Sequence, residues 1–103
     1  MRDDDFAVWL EKTDLTTRAQ SDTKSRCRRI EKSEDDLDLD KEFVQDSMEG
    51  LLDSLKYSRA DESGGVLVKH LIPINGDLVN GTASLLSAAK KYQKFCLDYP
   101  PKQ

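Results

Sequence analysis

The sequence predicts an all-α protein, a small bundle of four to five helices. Its apolar residues fall in clusters with helical spacing, so that one face of each segment repeats every three to four residues. One stretch, 66–72, is rich in β-branched residues but has no obvious second strand with which to pair. The length of 103 residues corresponds to one domain with a single modest core.

The composition excludes several classes of protein. Hydrophobic residues make up 37% of the chain and charged residues 35%, but the clustering of the apolar residues argues against disorder. No apolar run approaches the roughly 20 residues of a membrane span, and the acidic start is unlike a signal peptide. Two cysteines are too few for a disulfide framework. We therefore expect a cytoplasmic protein with reduced thiols.

The first two predicted helices have different exposed faces. A short helix places Phe6, Trp9 and Leu10 on one face, behind three aspartates at its N-terminus. A second helix runs from Thr16 or Thr17 to about Ser33. Its narrow apolar stripe comprises Leu15, Ala19, Thr23, Cys27 and Ile30. The opposite arc carries the cations Arg18, Lys24, Arg28, Arg29 and Lys32.

The middle of the chain is acidic. Residues 34–40 form an acidic loop, and Asp40 can cap a third helix over about 41–57. The predicted buried face of this helix comprises Phe43, Val44, Met48, Leu51, Leu52 and Leu55. A stripe of carboxylates lies beside that face, formed by Glu42, Asp46, Glu49 and Asp53. Residues 58–65 are typical of a loop.

The last third leads into the final helix. We expect 66–72 to be a buried extended segment or a short helix, followed by turns. The final helix starts near Thr82, ends near Leu97 and buries Leu85, Ala88, Ala89, Tyr92, Phe95 and Cys96. Its outer face carries Lys90, Lys91 and Lys94. One helical domain therefore spans 1–98, and 99–103 is a proline-rich tail or the start of a linker.

No combination of residues points to catalysis, so we predict that the protein is not an enzyme and holds no cofactor or metal. His70 lies in the most apolar stretch, where a structural role is expected. Cys27 and Cys96 lie on predicted core stripes, as inert small hydrophobes do. The aspartates between 35 and 40 lack the glycine and terminal glutamate of a calcium loop.

The charge is divided unevenly along the chain. The net charge is -4, but 18–33 and 63–103 carry +4 and +3, against -3 for 1–17 and -8 for 34–62. An acidic whole argues against a generally basic nucleic-acid binder. Because the charge is divided, this objection depends on where the segments lie in the fold. We expect the two basic segments, 18–33 and 63–103, to converge on one face.

Two stretches are similar to a known type of module. One comprises "FAVWL" at 6–10 with "AQSDTKSRCRRIEK" at 19–32, and the other is "IPINGDLVNGTASLLSAAKKYQKF" at 72–95. Both resemble the helical N-terminal modules of bacterial and phage restriction proteins, and the SAM-like core-binding domain of tyrosine recombinases (phage integrases). The resemblance implies a SAM-like fold and DNA contact without catalysis. The chain carries no catalytic set of those families.

These patterns predict a DNA-binding or accessory module of a phage, mobile-element or restriction system. Phosphate contacts would come from Arg18, Lys24, Arg28, Arg29, Lys32, Lys90, Lys91 and Lys94. Neutral donors would be Asn80, Thr82 and Ser84, at the start of the last helix. The alternative is an acidic protein-interaction module, either a dimerisation domain or a small phage inhibitor of a host defence protein. It would act through Glu42, Asp46, Glu49 and Asp53.

Overall fold

The computed structural model describes residues 1–33 and 37–101, and these form six helices and no strand. The all-α prediction is confirmed, with one helix more than the upper number expected. The predicted acidic loop falls partly outside the described residues, at Glu34, Asp35 and Asp36. The helices are α1 (Asp3–Glu11), α2 (Thr17–Ser33), α3 (Leu39–Asp46), α4 (Glu49–Ser54), α5 (Arg59–Ser63) and α6 (Leu78–Asp98).

The core is built around the two longest helices, α2 and α6, which pack against each other. Helix α1 packs against both of them, while α3 and α4 pack against α6. The ring of Phe6 lies edge-on to Tyr92, with the ring centroids 4.8 Å apart, and 5.4 Å from the centroid of Phe95. All three rings are buried. Such aromatic contacts add to the free energy gained from burying apolar surface.

The predicted third helix is broken in two at Ser47 and Met48. Both residues have left-handed backbone conformations, with φ of 58° and 68°. This conformation costs roughly 1–2 kcal/mol for a residue with a Cβ atom. The Met48 side chain is fully buried, and the Ser47 carbonyl accepts a hydrogen bond from Gln93 Nε2 at 2.8 Å. Packing against α6 therefore holds a break that the periodicity of the sequence does not show.

Helix α3 begins two residues earlier than predicted because Asp38, not Asp40, is its N-cap. The Asp38 carboxylate accepts a hydrogen bond from the Asp40 N–H at 2.9 Å. Asp40 instead turns toward the core, where its Oδ1 accepts a hydrogen bond from the Tyr92 hydroxyl at 2.7 Å. Of the predicted buried face, four residues are buried: Met48, Leu51, Leu52 and Leu55. Phe43 is half-buried, and Val44 is 42% exposed.

The segment between α5 and α6 is neither a helix nor a strand. The loop expected at 58–65 contains the short helix α5, which begins with a capping box formed by Ser58 and Asp61. Further on, His70 and Ile72 are buried, whereas Leu67 and Leu71 are 85% and 68% exposed. Segment 66–72 is therefore anchored only at its end, and the prediction of a buried extended segment or a short helix is wrong.

Helix α6 begins at Leu78, one turn before the predicted start. Asp77 is its N-cap and accepts hydrogen bonds from the N–H groups of Val79 and Asn80, at 3.0 and 3.2 Å. A Cβ atom at Gly81 would lie 2.5 Å from Ile74 Cγ2, so glycine lets the preceding segment approach the helix. Every residue predicted to be buried in this helix is buried.

Candidate nucleic-acid interface

The outer face of α2 carries the strongest concentration of cations. This helix has 17 residues and is about 26 Å long. Arg18 and Lys32 are exposed and Lys24 is half-buried, and none of the three has an ion-pair or hydrogen-bond partner within 1–33 and 37–101. The hydroxyl residues Ser21 and Ser25 are exposed among them. This face can therefore offer cationic and neutral donors to a phosphate chain.

Two arginines of the same helix are engaged within the protein. Arg28 Nε donates a hydrogen bond to Asp3 Oδ1 on α1 at 3.1 Å, and the two side chains form an ion pair. The Arg29 guanidinium donates to the carbonyl oxygen of Pro73 and so holds the segment before α6. Both arginines remain exposed. The five cations of the predicted face are therefore not equivalent.

The cations of α6 lie on a helix that contacts α2 directly. Cys27 Sγ lies 3.5 Å from the carbonyl oxygen of Ala88, which places the two backbones in close contact. Lys90 and Lys94 are exposed, whereas Lys91 is half-buried and donates to Ser87 Oγ at 3.0 Å.

The Cys27 thiol responds to charges on both helices. Burial, and after it the charge of Glu31, raises the pKa of this thiol to about 12, while the charges of Lys91 and Arg28 oppose the shift.

The polar residues at the start of α6 do not form the expected set of donors. Thr82 is fully buried, and its Oγ1 lies 2.9 Å from His70 Nε2. The prediction that Thr82 contacts phosphate is therefore wrong, because the helix starts a turn earlier and Thr82 faces the core. Ser84 Oγ donates to the Asn80 carbonyl at 3.0 Å, and the Asn80 amide donates to Asp77 at 3.2 Å.

The predicted acidic stripe is divided between two helices by the break at 47–48. Glu42 and Asp46 lie on α3. Burial raises the pKa of Glu42, and the charge of Asp46 adds to this shift. On α4, Glu49 is exposed, and Asp53 lies 3.8 Å from Lys69 Nζ. The Asp46 carboxylate accepts a hydrogen bond from the Gly50 N–H across the break, at 3.0 Å. All but Glu42 are exposed.

His70 has a structural setting. It is buried, and its Nδ1 accepts a hydrogen bond from the N–H of Ile72 at 3.1 Å. With Nδ1 as an acceptor, Nε2 carries the proton and donates to Thr82 Oγ1. Among the described residues, no group of three or more His, Cys, Asp and Glu side chains is placed to hold a metal ion.

A groove of about 530 Å³ between α1 and the 99–101 tail was not predicted. Its aromatic lining includes Trp9 and Tyr99, and Trp9 Nε1 donates to Asp98 Oδ2 at 2.8 Å. Arg2 also lines it but is paired with Asp40. Asp98 and Arg2 are already engaged, whereas Asp5 and Lys12 also line the groove and form no ion pair with a described residue.

Two long-range contacts at the candidate interface have no signal in the sequence. Asp3 is 25 residues from Arg28, and Pro73 is 44 residues from Arg29. Neither pair is related by helical periodicity, so the helix packing alone brings them together.

No helix in the described ranges is long and apolar enough to cross a membrane.

Comparison with known proteins adds no family to this description. No protein-family model, curated protein or solved structure matches the chain. The resemblance to recombinase core-binding and restriction modules therefore stays a prediction. The functional argument rests on the charges and contacts of the helices themselves.

Proposed function

We propose that the protein is a non-catalytic helical module that binds duplex DNA through its phosphates, within a phage, mobile-element or restriction system. The observation that carries the proposal is the outer face of α2. There Arg18, Lys24 and Lys32 have no partner among the described residues and face solvent wholly or in part. The net negative charge comes mainly from residues 34–62, which carry -8 and include α3 and α4.

Contact with phosphates gives this proposal a distinctive salt dependence. Each phosphate neutralised by a cation releases counterions, so the logarithm of the affinity falls with the logarithm of salt concentration by about 0.9 per phosphate. Because the whole chain has a net charge of -4, such binding depends on the local α2 face and not on the net charge. We therefore expect measurable affinity at about 50 mM salt and a steep loss by about 200 mM.

The test is fluorescence anisotropy with a labelled duplex at these two salt concentrations. The interface variant replaces Arg18, Lys24 and Lys32 with glutamine. The matched control replaces Lys41, Lys56 and Lys69, three exposed cations outside the proposed face, and changes the net charge equally. We expect the interface variant to lose affinity and its salt slope to fall by about 3. Absence of binding at low salt, or equal losses in both variants, would refute the proposal.

A second candidate function is favoured by the carboxylates of α3 and α4. Neither Glu42 nor Asp46 forms an ion pair with a described residue. Burial and then the charge of the neighbouring Asp46 raise the pKa of Glu42. A basic partner would relieve that repulsion. This candidate predicts binding to a synthetic arginine-rich peptide that disappears when Glu42, Asp46, Glu49 and Asp53 become amides. It also predicts no affinity for duplex DNA.

A further inference from the structure

The ion pair between Asp3 and Arg28 lies in the middle of the proposed interface. Arg28 is four residues from both Lys24 and Lys32, so the three cations follow one another at about 6 Å intervals along α2. Asp3 pairs with the central member of this row at 3.1 Å. A carboxylate from α1 therefore occupies the position that a phosphate bound to the row would take.

The pair is placed so that it can be opened. The side chains of Arg28 and Asp3 are 53% and 48% exposed, which makes this a solvent-accessible surface ion pair. Ion pairs of this kind contribute little to stability because water and salt screen them. Arg28 can therefore exchange Asp3 for another anion without disturbing the core.

We infer that Asp3 is an intramolecular competitor for phosphate at Arg28, an inference that rests on the proposed DNA-binding function. A tethered carboxylate has an effective concentration in the millimolar range or above. A single phosphate ion at lower concentration does not displace it. A duplex, which presents many phosphates to the whole Lys24–Arg28–Lys32 row, displaces it readily. Asp3 thereby selects a polyanion over a monoanion.

The experiment compares Asp3→Asn with Asp4→Asn. Both aspartates are exposed in the first turn of α1, so the two substitutions change the net charge and the helix N-terminus equally. Asp4 has no ion-pair partner within the described residues. We expect Asp3→Asn to bind a labelled duplex up to about fivefold more tightly than Asp4→Asn at low salt. This difference in duplex affinity between Asp3→Asn and Asp4→Asn should vanish when Arg28→Gln is present in both variants.

Other outcomes separate this inference from the function on which it rests. Equal affinities of Asp3→Asn and Asp4→Asn, with clear binding by both, would overturn the role of Asp3 and leave DNA binding intact. An excess that survives Arg28→Gln would also overturn it. If no variant binds duplex at low salt, both proposals fail. Circular dichroism checks that each variant is folded, and Asp3→Ser repeats the test with a residue that suits a helix N-terminus.

Discussion

Tyr92 on α6 and Asp40 on α3 are joined by a hydrogen bond of 2.7 Å across 52 residues of sequence. The same Tyr92 hydroxyl accepts a hydrogen bond from the Arg2 N–H at 2.9 Å. Arg2 Nε in turn donates to Asp40 Oδ1 at 3.2 Å. The Tyr92 hydroxyl therefore connects Arg2, the acidic helix α3 and the last helix, α6.

Removal of this hydroxyl should destabilise the fold. Tyr92→Phe leaves the Arg2 N–H without its acceptor and removes one donor from Asp40. We expect the free energy of unfolding to fall by about 1–3 kcal/mol in urea denaturation. Tyr99→Phe is the matched control, because Tyr99 is 51% exposed and its hydroxyl makes no hydrogen bond to a described residue. A loss of the same size in both variants would contradict this role for Tyr92.

Stability should also fall at alkaline pH through Tyr92. Burial raises the pKa of its phenol above the usual value of 10.0, and the hydrogen bond to Asp40 adds to this shift. The hydrogen bond from the Arg2 N–H opposes it. A group with a raised pKa in the folded state contributes stability below its unfolded pKa and loses that contribution as pH rises further. We expect the stability of the wild type to fall more steeply above pH 10 than that of Tyr92→Phe. If the stability of the wild type and that of Tyr92→Phe fall in parallel above pH 10, this prediction is wrong.

Both cysteine thiols should be inert in the folded protein. Burial raises the pKa of Cys27 and of Cys96 to about 12, and both side chains are fully buried. At pH 8 the folded protein therefore contains very little thiolate, the reactive form. We expect no rapid reaction with a disulfide reagent until denaturant is added, when both thiols react. Ser25→Cys on the exposed face of α2 is the positive control. Rapid labelling of the native wild type would contradict the prediction that both thiols are inert.

The His70–Thr82 contact should be essential to the packing of segment 70–72. Thr82→Val keeps the shape of the side chain but removes the acceptor for His70 Nε2, at a fully buried position. We expect a loss of about 1–3 kcal/mol, compared with a smaller loss for Thr82→Ser, which keeps the hydroxyl. Nitrogen NMR shifts should show His70 with its proton on Nε2. A proton on Nδ1 would contradict the hydrogen bond from Ile72.

The left-handed Ser47 predicts a stabilising substitution. Ser47 is exposed and has φ of 58°, and its hydrogen bond with Gln93 uses only the backbone carbonyl. Ser47→Gly relieves the steric cost of this conformation, so we expect a gain of roughly 1 kcal/mol. Ser47→Val, which makes the conformation worse, should lower the stability. Thermal unfolding of the two variants is the measurement, and shifts in the same direction would show that the break is not held as described.

Prediction from sequence succeeded where periodicity alone determines the structure. Helix α2 has the predicted end and begins at Thr17, one of the two predicted starts, and the buried residues of α6 are those expected. Periodicity carries no information on the break at 47–48, because both halves keep the same apolar spacing and the φ angles depend on packing. The predicted start of α6 at Thr82 is a turn late for a different reason: the residues before it are predicted as turns, whereas Asp77 caps the helix.

The candidate site was predictable in its residue types but not in its pairings. The basic arc of α2 follows from the helical repeat, and Arg18 and Lys32 are exposed as expected. The engagement of Arg28 by Asp3 and of Arg29 by Pro73 depends on how helices and loops meet in space. Those contacts join residues far apart in the chain, and a single sequence does not encode them in any local pattern.

The hydrogen bond from Arg2 to Tyr92, across 90 residues of sequence, affects the order in which the protein can assemble. Helix α1 is synthesised before α6, which carries its aromatic partners. Until α6 is made, Phe6 and Leu10 have only α2 to cover them. The nascent chain therefore exposes the apolar face of α1 until α6 is made, and completion of this fold depends on non-local contacts.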